Sequence, residues 1–222
     1  WGDGNTSPTI NTAGTNSHTY VSAGNYVIEI DGSFTGYGWQ TAVPTASNVA
    51  AITGVTQWNL VAGAPTLTSL RGAFSDHANL MVVPDTLPPT VTSLRRMFRD
   101  AGSFNQDIGG WNTANVTGMS NMFRSAISFN QDIGGWDTAN VAAMRHMFSD
   151  APKFNQDLSS WDVSGVSAAD SMQDMFLASR LSVDNYDRLI ANWNSGQTLS
   201  SRDFHGGHSV FCATDPGVPD GG

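Results

Sequence analysis

The sequence predicts an α/β protein, a right-handed solenoid of short parallel strands and short helical segments. The phrase SFNQDIGGWNTANV, which starts at Ser103, returns from Ser128 and, more loosely, from Lys153. The apolar residues of the copies keep their positions, and the two ends of the chain differ from its middle. A unit of about 20–50 residues that recurs in register is typical of stacked repeats, in which each unit buries its apolar face against the next.

The period of the repeat is 25 residues. The aromatic residues of the phrase recur at this step in all three copies: Phe104, Phe129, Phe154, Trp111, Trp136 and Trp161. Weaker copies flank them, one from Thr66 at a step of 24 and one around Met175 at a step of 28. We therefore expect repeats over residues 66–180. Their length falls in the range of about 20–29 residues that leucine-rich repeats occupy.

Each repeat divides into a helical half and a strand half. In NVTGMSNMFRSA the apolar residues fall on one face of a short helix or 3₁₀ segment: Val116, Met119, Met122, Phe123 and Ala126. FNQDIGGWDT is short and interrupted by glycines, which predicts a brief strand and a turn. We interpret the Met, Phe and Trp columns as core rather than as a cofactor site or a sugar-stacking platform.

Polar residues also recur in register. Asn105, Asn130 and Asn155 follow the repeating Phe. We expect their amides to turn inward and to bond backbone groups that the coil leaves without a partner.

The two ends read as caps over the open faces of the stack. Residues 1–65 are expected to form a β-rich cap and the entry to the repeats. Residues 181–212 are expected to form a helical cap, in which a helix starts after Ser182 and ends at Gly196. Gly165 and the three-residue insertion 168–170 are expected to loosen the last repeat. Residues 213–222 have a linker composition, and we expect the whole to be one structural domain.

Composition restricts the partners. The chain has 10 Lys and Arg against 19 Asp and Glu, a formal net charge of -9, which argues against nucleic acid and anionic membranes. Lys153 is the only lysine, and Gly, Ser, Thr and Asn are abundant, as in extracellular bacterial proteins. No apolar run approaches the length of a membrane span, and Cys212 has no partner for a disulfide. We expect a monomeric module of a longer protein.

The string FNQD(I/L)xxWDxxxVxxMxxMFxxA resembles the BspA-like leucine-rich-repeat surface proteins of bacteria. The opening, residues 1–30, is similar to the polycystic-kidney-disease-like element that often precedes such repeats, and LSVDNYDRLIANW resembles the end of the family's repeats. The resemblance implies an extracellular, cell-surface module for adhesion, without catalytic residues.

No motif in the sequence indicates an enzyme or a cofactor. The pair His205 and His208 is a weak zinc signal without other ligands nearby. Calcium is a less favoured alternative, since the spacing of known calcium loops is absent. We expect no catalytic residue, no metal site and no cofactor.

Ligand binding is predicted on the strand half. If Phe and Asn turn inward, strand geometry brings one or the other of the next two positions outward, in columns, and we take both as candidates: Gln106, Asp107, Gln131, Asp132, Gln156 and Asp157. The small residues after them would let a partner's backbone approach closely. The alternative is that these side chains only satisfy turn backbone. The arginines of the helical half are expected to be solvated or paired with Asp100 and Asp150.

Two functions follow from these predictions. The first is an adhesin module that recognises an extracellular protein, peptide or glycan on a host or neighbouring cell. The second is a structural spacer with no ligand of its own.

Overall fold

The computed structural model describes residues 53–56, 58, 67–166 and 171–195. The predicted N-terminal β cap lies almost entirely outside these residues, as do the linker and the predicted helix end at Gly196. Within them there is one α-helix, α1, Val183–Ser195, and no strand. Neighbouring segments meet at four isolated parallel β-bridges: Gly54 with Val82, Ser69 with Ser93, Ser93 with Gly118, and Gly118 with Ala143.

The predicted α/β class, a right-handed leucine-rich-repeat-like solenoid of parallel strands and helical segments, is therefore wrong. The described repeats are stacked on one another, but each is built from turns. Three of the bridges lie in the predicted helical half, at Ser69, Ser93, Gly118 and Ala143, and within the described residues none joins the strand halves of the three copies. A series of tight turns replaces the expected helical segment.

The predicted helical half is a seven-residue stretch that we call the turn segment. It recurs over 70–76, 94–100, 119–125, 144–150 and 172–178. In the first four, alternate N–H groups donate to carbonyls of the next repeat at 2.7–3.0 Å, starting with Leu70 to Ser93 and Gly72 to Arg95. The N–H groups of the fourth and sixth residues donate to the carbonyl three residues back, as Ala73 does to Leu70. Since an α-helix needs bonds four residues back, this pattern excludes one.

Backbone conformation also excludes a helix here. The third and seventh residues of every turn segment have left-handed φ angles between 52° and 66°: Gly72, Asp76, Arg96, Asp100, Asn121, Ser125, His146, Asp150, Asp174 and Ala178. Such residues interrupt a right-handed helix. The bonds to the neighbouring repeat compensate for the conformational cost, since they satisfy the N–H groups of these residues in the first four segments.

The predicted strand half is held to its neighbours largely by side chains. The side-chain carbonyl of Asn105 accepts a hydrogen bond from the backbone N–H of Asn130 at 2.8 Å, and Asn130 accepts one from Asn155 at 2.8 Å. Asn155 in turn accepts one from Ser182 at 2.7 Å. The asparagines bond the backbone of the next repeat as predicted. Their predicted inward orientation is wrong, because all three are exposed.

Aromatic columns fill the core. Phe98, Phe123 and Phe148 stack at ring distances of 5.6 and 5.7 Å, and a parallel column contains Phe104, Phe129 and Phe154. Rings of the two columns approach to 3.9–4.0 Å within a repeat. The prediction that the repeating tryptophans are core is confirmed: Trp111, Trp136 and Trp161 are 3%, 4% and 1% exposed.

Helix α1 lies where the sequence predicts a helix. The Ser182 hydroxyl accepts a bond from the N–H of Asn185 at 3.3 Å, which is the geometry of an N-cap. Tyr186, Leu189 and Trp193 are buried in the same core as the repeats. Helix α1, the one helix in the described part of the chain, is not long and apolar enough to cross a membrane.

The last repeat keeps its register across the insertion, although residues 167–170 lie outside the described part. The N–H groups of Met144 and His146 donate to the carbonyls of Ser171 and Gln173, which follow the insertion, at 2.7 and 2.9 Å, as in the other repeats. Gly165 allows close packing, because a Cβ at that position would lie 2.6 Å from the carbonyl oxygen of Ala139.

Candidate functional site

The predicted ligand-binding residues are aligned at the surface, in three successive repeats. Asp107 and Asp132 are exposed, and Asp157 and the three glutamines, Gln106, Gln131 and Gln156, are partly exposed. The asparagine column beside them holds successive repeats in register, so the side chains of the same repeat position follow one another from repeat to repeat.

Each aspartate of the site stabilises a turn in its own repeat. Oδ1 of Asp107 accepts a bond from the N–H of Gly109 at 2.9 Å, and Asp132 and Asp157 do the same for the residues two positions ahead of them, at the same distance. Hydrogen bonds from Ser159 lower the pKa of Asp157, and Arg188, at 3.3 Å, contributes less. The second carboxylate oxygens of Asp107 and Asp132 make no hydrogen bond with the described residues and are available to a ligand.

The three glutamines differ from one another. Gln106 bonds both backbone groups of Val83, at 2.6 and 2.9 Å, and also Asp85. Gln156 donates to the backbone and side-chain oxygens of Asn130 at 3.0 and 2.9 Å. Gln131 makes no hydrogen bond with the described part of the chain. Only the middle glutamine therefore keeps both amide groups free for a partner.

The two glycines that follow Asp107 and Asp132 also have separate roles, whereas Asp157 is followed by Ser159 and Ser160. A Cβ at Gly109 or Gly134 would lie 2.6 or 2.8 Å from a backbone oxygen of the next repeat, so the first glycine of each pair permits the packing of the repeats. A Cβ at Gly110 or Gly135 would meet nothing within 4 Å. Only the second glycine leaves open space for the approach of a partner.

The described residues contain no cluster of three or more His, Cys, Asp or Glu that could hold a metal ion. Burial lowers the pKa of His77, which is within 2.8 Å of the carbonyl oxygen of Ser75. Burial, followed by the charge of Arg145, lowers the pKa of His146. The weak zinc pair, His205 and His208, lies outside the described residues.

The arginines of the turn segments are only partly paired. Arg99 contacts Asp100 at 2.8 Å and Arg124 approaches Asp150 at 3.8 Å, so the predicted pairing with these two aspartates is observed. Arg71, Arg95 and Arg96 have no such partner among the described residues. The repeating sequence identified the arginines, but only the stacked structure distinguishes those that lack a carboxylate.

Comparison with known proteins gives a family match. The model of a family described as "Mycoplasma protein of unknown function, DUF285" matches residues 68–193, more than half of the chain. The matched range covers the five turn segments and most of α1, but not residues 1–30. This family is related to BspA-like surface proteins. No curated protein and no solved structure matches the chain.

Proposed function

This chain belongs to the DUF285 family, and on that premise we propose that it is the ligand-binding module of a larger bacterial cell-surface adhesin. Its ligand is an extracellular protein, peptide or glycan on a host or neighbouring cell. A closer kinship with the BspA-like proteins, including the polycystic-kidney-disease-like opening over residues 1–30, belongs to this proposal. So do the location outside the cell and the absence of an enzymatic activity.

The observation that carries the proposal is the aligned polar surface of three repeats. Its centre, Gln131 and Asp132, offers a free amide and a free carboxylate oxygen beside the open space at Gly135. At this centre other atoms stabilise the repeats, namely Oδ1 of Asp132 and the asparagine side-chain carbonyls. A peptide or a sugar chain has donors and acceptors at regular intervals, which suits side chains that recur from repeat to repeat.

A glycan and peptide array, followed by binding measurements with Gln131→Ala and Asp132→Ala, tests the proposal. We expect Gln131→Ala to leave thermal stability unchanged and to weaken binding by roughly tenfold, the effect of about 1.4 kcal/mol of lost hydrogen bonding. Asp132→Ala should weaken binding and also lower stability, because it removes the turn bond to Gly134.

Asp137→Ala is the matched control for Asp132→Ala. Asp137 accepts the same kind of turn bond, from Ala139 at 3.1 Å, but lies outside the candidate surface. It should lose stability and keep affinity. Unchanged affinity in both site variants would contradict this binding surface.

A structural spacer is the second candidate. The bonds of Gln106 and Gln156 to neighbouring repeats favour it, because they use candidate ligand-binding groups to hold the stack together. Binding to nothing on either array would support the spacer.

A further inference from the structure

Five arginines from three successive repeats gather on one part of the turn segments. We call them the arginine cluster: Arg71, Arg95, Arg96, Arg99 and Arg124. The stacking bonds place them: Gly72 donates to the carbonyl of Arg95 and Asp100 to that of Arg124, both at 2.8 Å. Arg71 and Arg95 therefore share one repeat position, and Arg99 and Arg124 share another.

Acidic residues neutralise only part of the cluster. Arg99 and Arg124 have carboxylates at 2.8 and 3.8 Å. Arg71, Arg95 and Arg96 are exposed, and their side chains make no ion pair or hydrogen bond with the described residues. Within the described part of the chain these three guanidinium groups therefore have no counter-charge, although the net charge of the chain is -9.

The electrostatics at Arg96 agree with this geometry. Burial lowers the pKa of Arg96 first, and the other four arginines of the cluster lower it further by repulsion. The stem of Arg95 lies over Gly118 of the next repeat, since a Cβ built at that glycine would be 3.3 Å from its Cγ. The positive charge is therefore concentrated on one part of the surface, where an anion would relieve the repulsion.

We infer that the arginine cluster is a second binding surface, for the sulfate groups of an extracellular sulfated polysaccharide. A guanidinium group donates two parallel N–H bonds to a pair of anionic oxygens, and a sulfate group offers such a pair. A linear sulfated chain carries such groups along its length, and the cluster presents guanidinium groups from three successive repeats. The choice of an extracellular polysaccharide rests on the proposed location at the cell surface.

The same surface fits nucleic acid poorly. The turn segments offer neither a helix nor a β-ribbon that could enter the major groove of double-stranded DNA. Single-stranded nucleic acid also requires exposed aromatic rings on which bases stack. The aromatic rings of the repeats that carry the cluster, among them Phe74, Phe98 and Phe123, are buried.

The experiment measures heparin binding to the 222-residue chain by isothermal titration calorimetry, at low and at physiological ionic strength. We expect binding that weakens with salt, and at least a roughly tenfold loss of affinity in R71Q/R95Q/R96Q, as for charge-paired contacts at interfaces. R188Q is the control, because Arg188 is exposed but lies on α1 beside Asp157. It should bind heparin as the natural chain does.

A second variant, R71K/R95K/R96K, keeps the charges and removes the paired N–H groups. It should lose part of the affinity, and it decides the question if the glutamine variant fails to fold. Chemically desulfated heparin should not bind. The inference is overturned if the natural chain does not bind heparin, if desulfated heparin binds equally, if neither variant loses affinity, or if a DNA oligonucleotide binds as tightly.

The experiments separate a failure of the arginine cluster as a binding surface from a failure of the proposed ligand-binding surface around Gln131. Gln131→Ala should leave heparin binding unchanged. An array ligand that is lost with Gln131→Ala, together with no binding of heparin, would overturn only the arginine cluster. Heparin binding without an array ligand on the Gln131 surface would overturn only that surface.

Discussion

Trp136 contributes to the stack through its ring and through its indole N–H. Its ring lies 6.3 Å from that of Trp161 at an interplanar angle of 7°, and it donates to the carbonyl of Ile108 in the preceding repeat at 3.1 Å. Trp111 and Trp161 bond preceding repeats in the same way, at 3.1 and 3.0 Å. Recurrence of tryptophan, rather than of any large apolar residue, follows from this combination.

Trp136→Ala should lower the free energy of unfolding by roughly 3–5 kcal/mol, as large-to-small core substitutions do. Trp136→Phe keeps a ring but removes the indole bond to the Ile108 carbonyl, which still accepts from the N–H of Trp111, so this change should cost only about 0.5–1.5 kcal/mol. Urea denaturation followed by circular dichroism measures both. Ile127→Ala is the control, since Ile127 is 53% exposed and its removal should change stability by less than about 0.5 kcal/mol. A near-neutral Trp136→Ala would contradict the core assignment.

At the scale of the element, the sequence predicted α1 well and the turn segments poorly. Helix α1 has local signals, an N-cap at Ser182 and an apolar face through Leu189 and Trp193. The turn segments share a helix-like apolar spacing, but alternate N–H groups bond the next repeat, which is not visible in local spacing. Aspartates at the seventh position tolerate a left-handed φ and were an available signal, whereas Arg96 and His146 gave none.

The candidate site, like the turn segments, was only partly predictable from the sequence. Repetition located the columns of Gln131 and Asp132 at the surface. It did not indicate that Gln106 and Gln156 bond neighbouring repeats, because these bonds join residues 23–26 positions apart. Which members of a column are free depends on contacts between repeats, and those contacts vary where the repeats differ.

The asparagine column gives the element-scale prediction. Oδ1 of Asn130 accepts from the N–H of Asn155 at 2.8 Å and from the side chain of Gln156 at 2.9 Å. Asn130→Ala removes both bonds and should cost about 1–2 kcal/mol. Asn130→Asp keeps an acceptor in the same place and should cost less at neutral pH. Thermal melts compare the two, and equal losses would contradict an acceptor role for Asn130.

At the scale of the whole molecule, the described repeats form a stack in which each turn segment bonds the next. The same four bonds recur at every interface from Leu70 to Leu177, including the one that crosses the insertion. Stability in such a stack is close to a sum over repeats and their interfaces. Removing one complete repeat should therefore be tolerated, whereas a change of register inside a turn segment should not.

Deletion of residues 116–140 removes one repeat of 25 residues and joins Asn115 to Val141. The new neighbours reproduce the old ones, with Leu94 facing Ala143 in place of Gly118 and Trp161 reaching Ile108 in place of Trp136. We expect a folded monomer whose urea midpoint is lower and whose dependence on urea falls by about a tenth, in proportion to the surface exposed on unfolding.

The control is the deletion of residues 122–145, which removes 24 residues and places His146 directly after Asn121. One extra residue then lies inside a turn segment. Because of it, the alternate N–H groups no longer face the carbonyls of the next repeat, and the apolar side chains no longer point into the core. This variant should be far less stable, or should associate through its exposed core, although it is only one residue longer. Size-exclusion chromatography and urea denaturation separate the two outcomes. Equal stability of the two deletions would mean that the register of these bonds does not hold the repeats together.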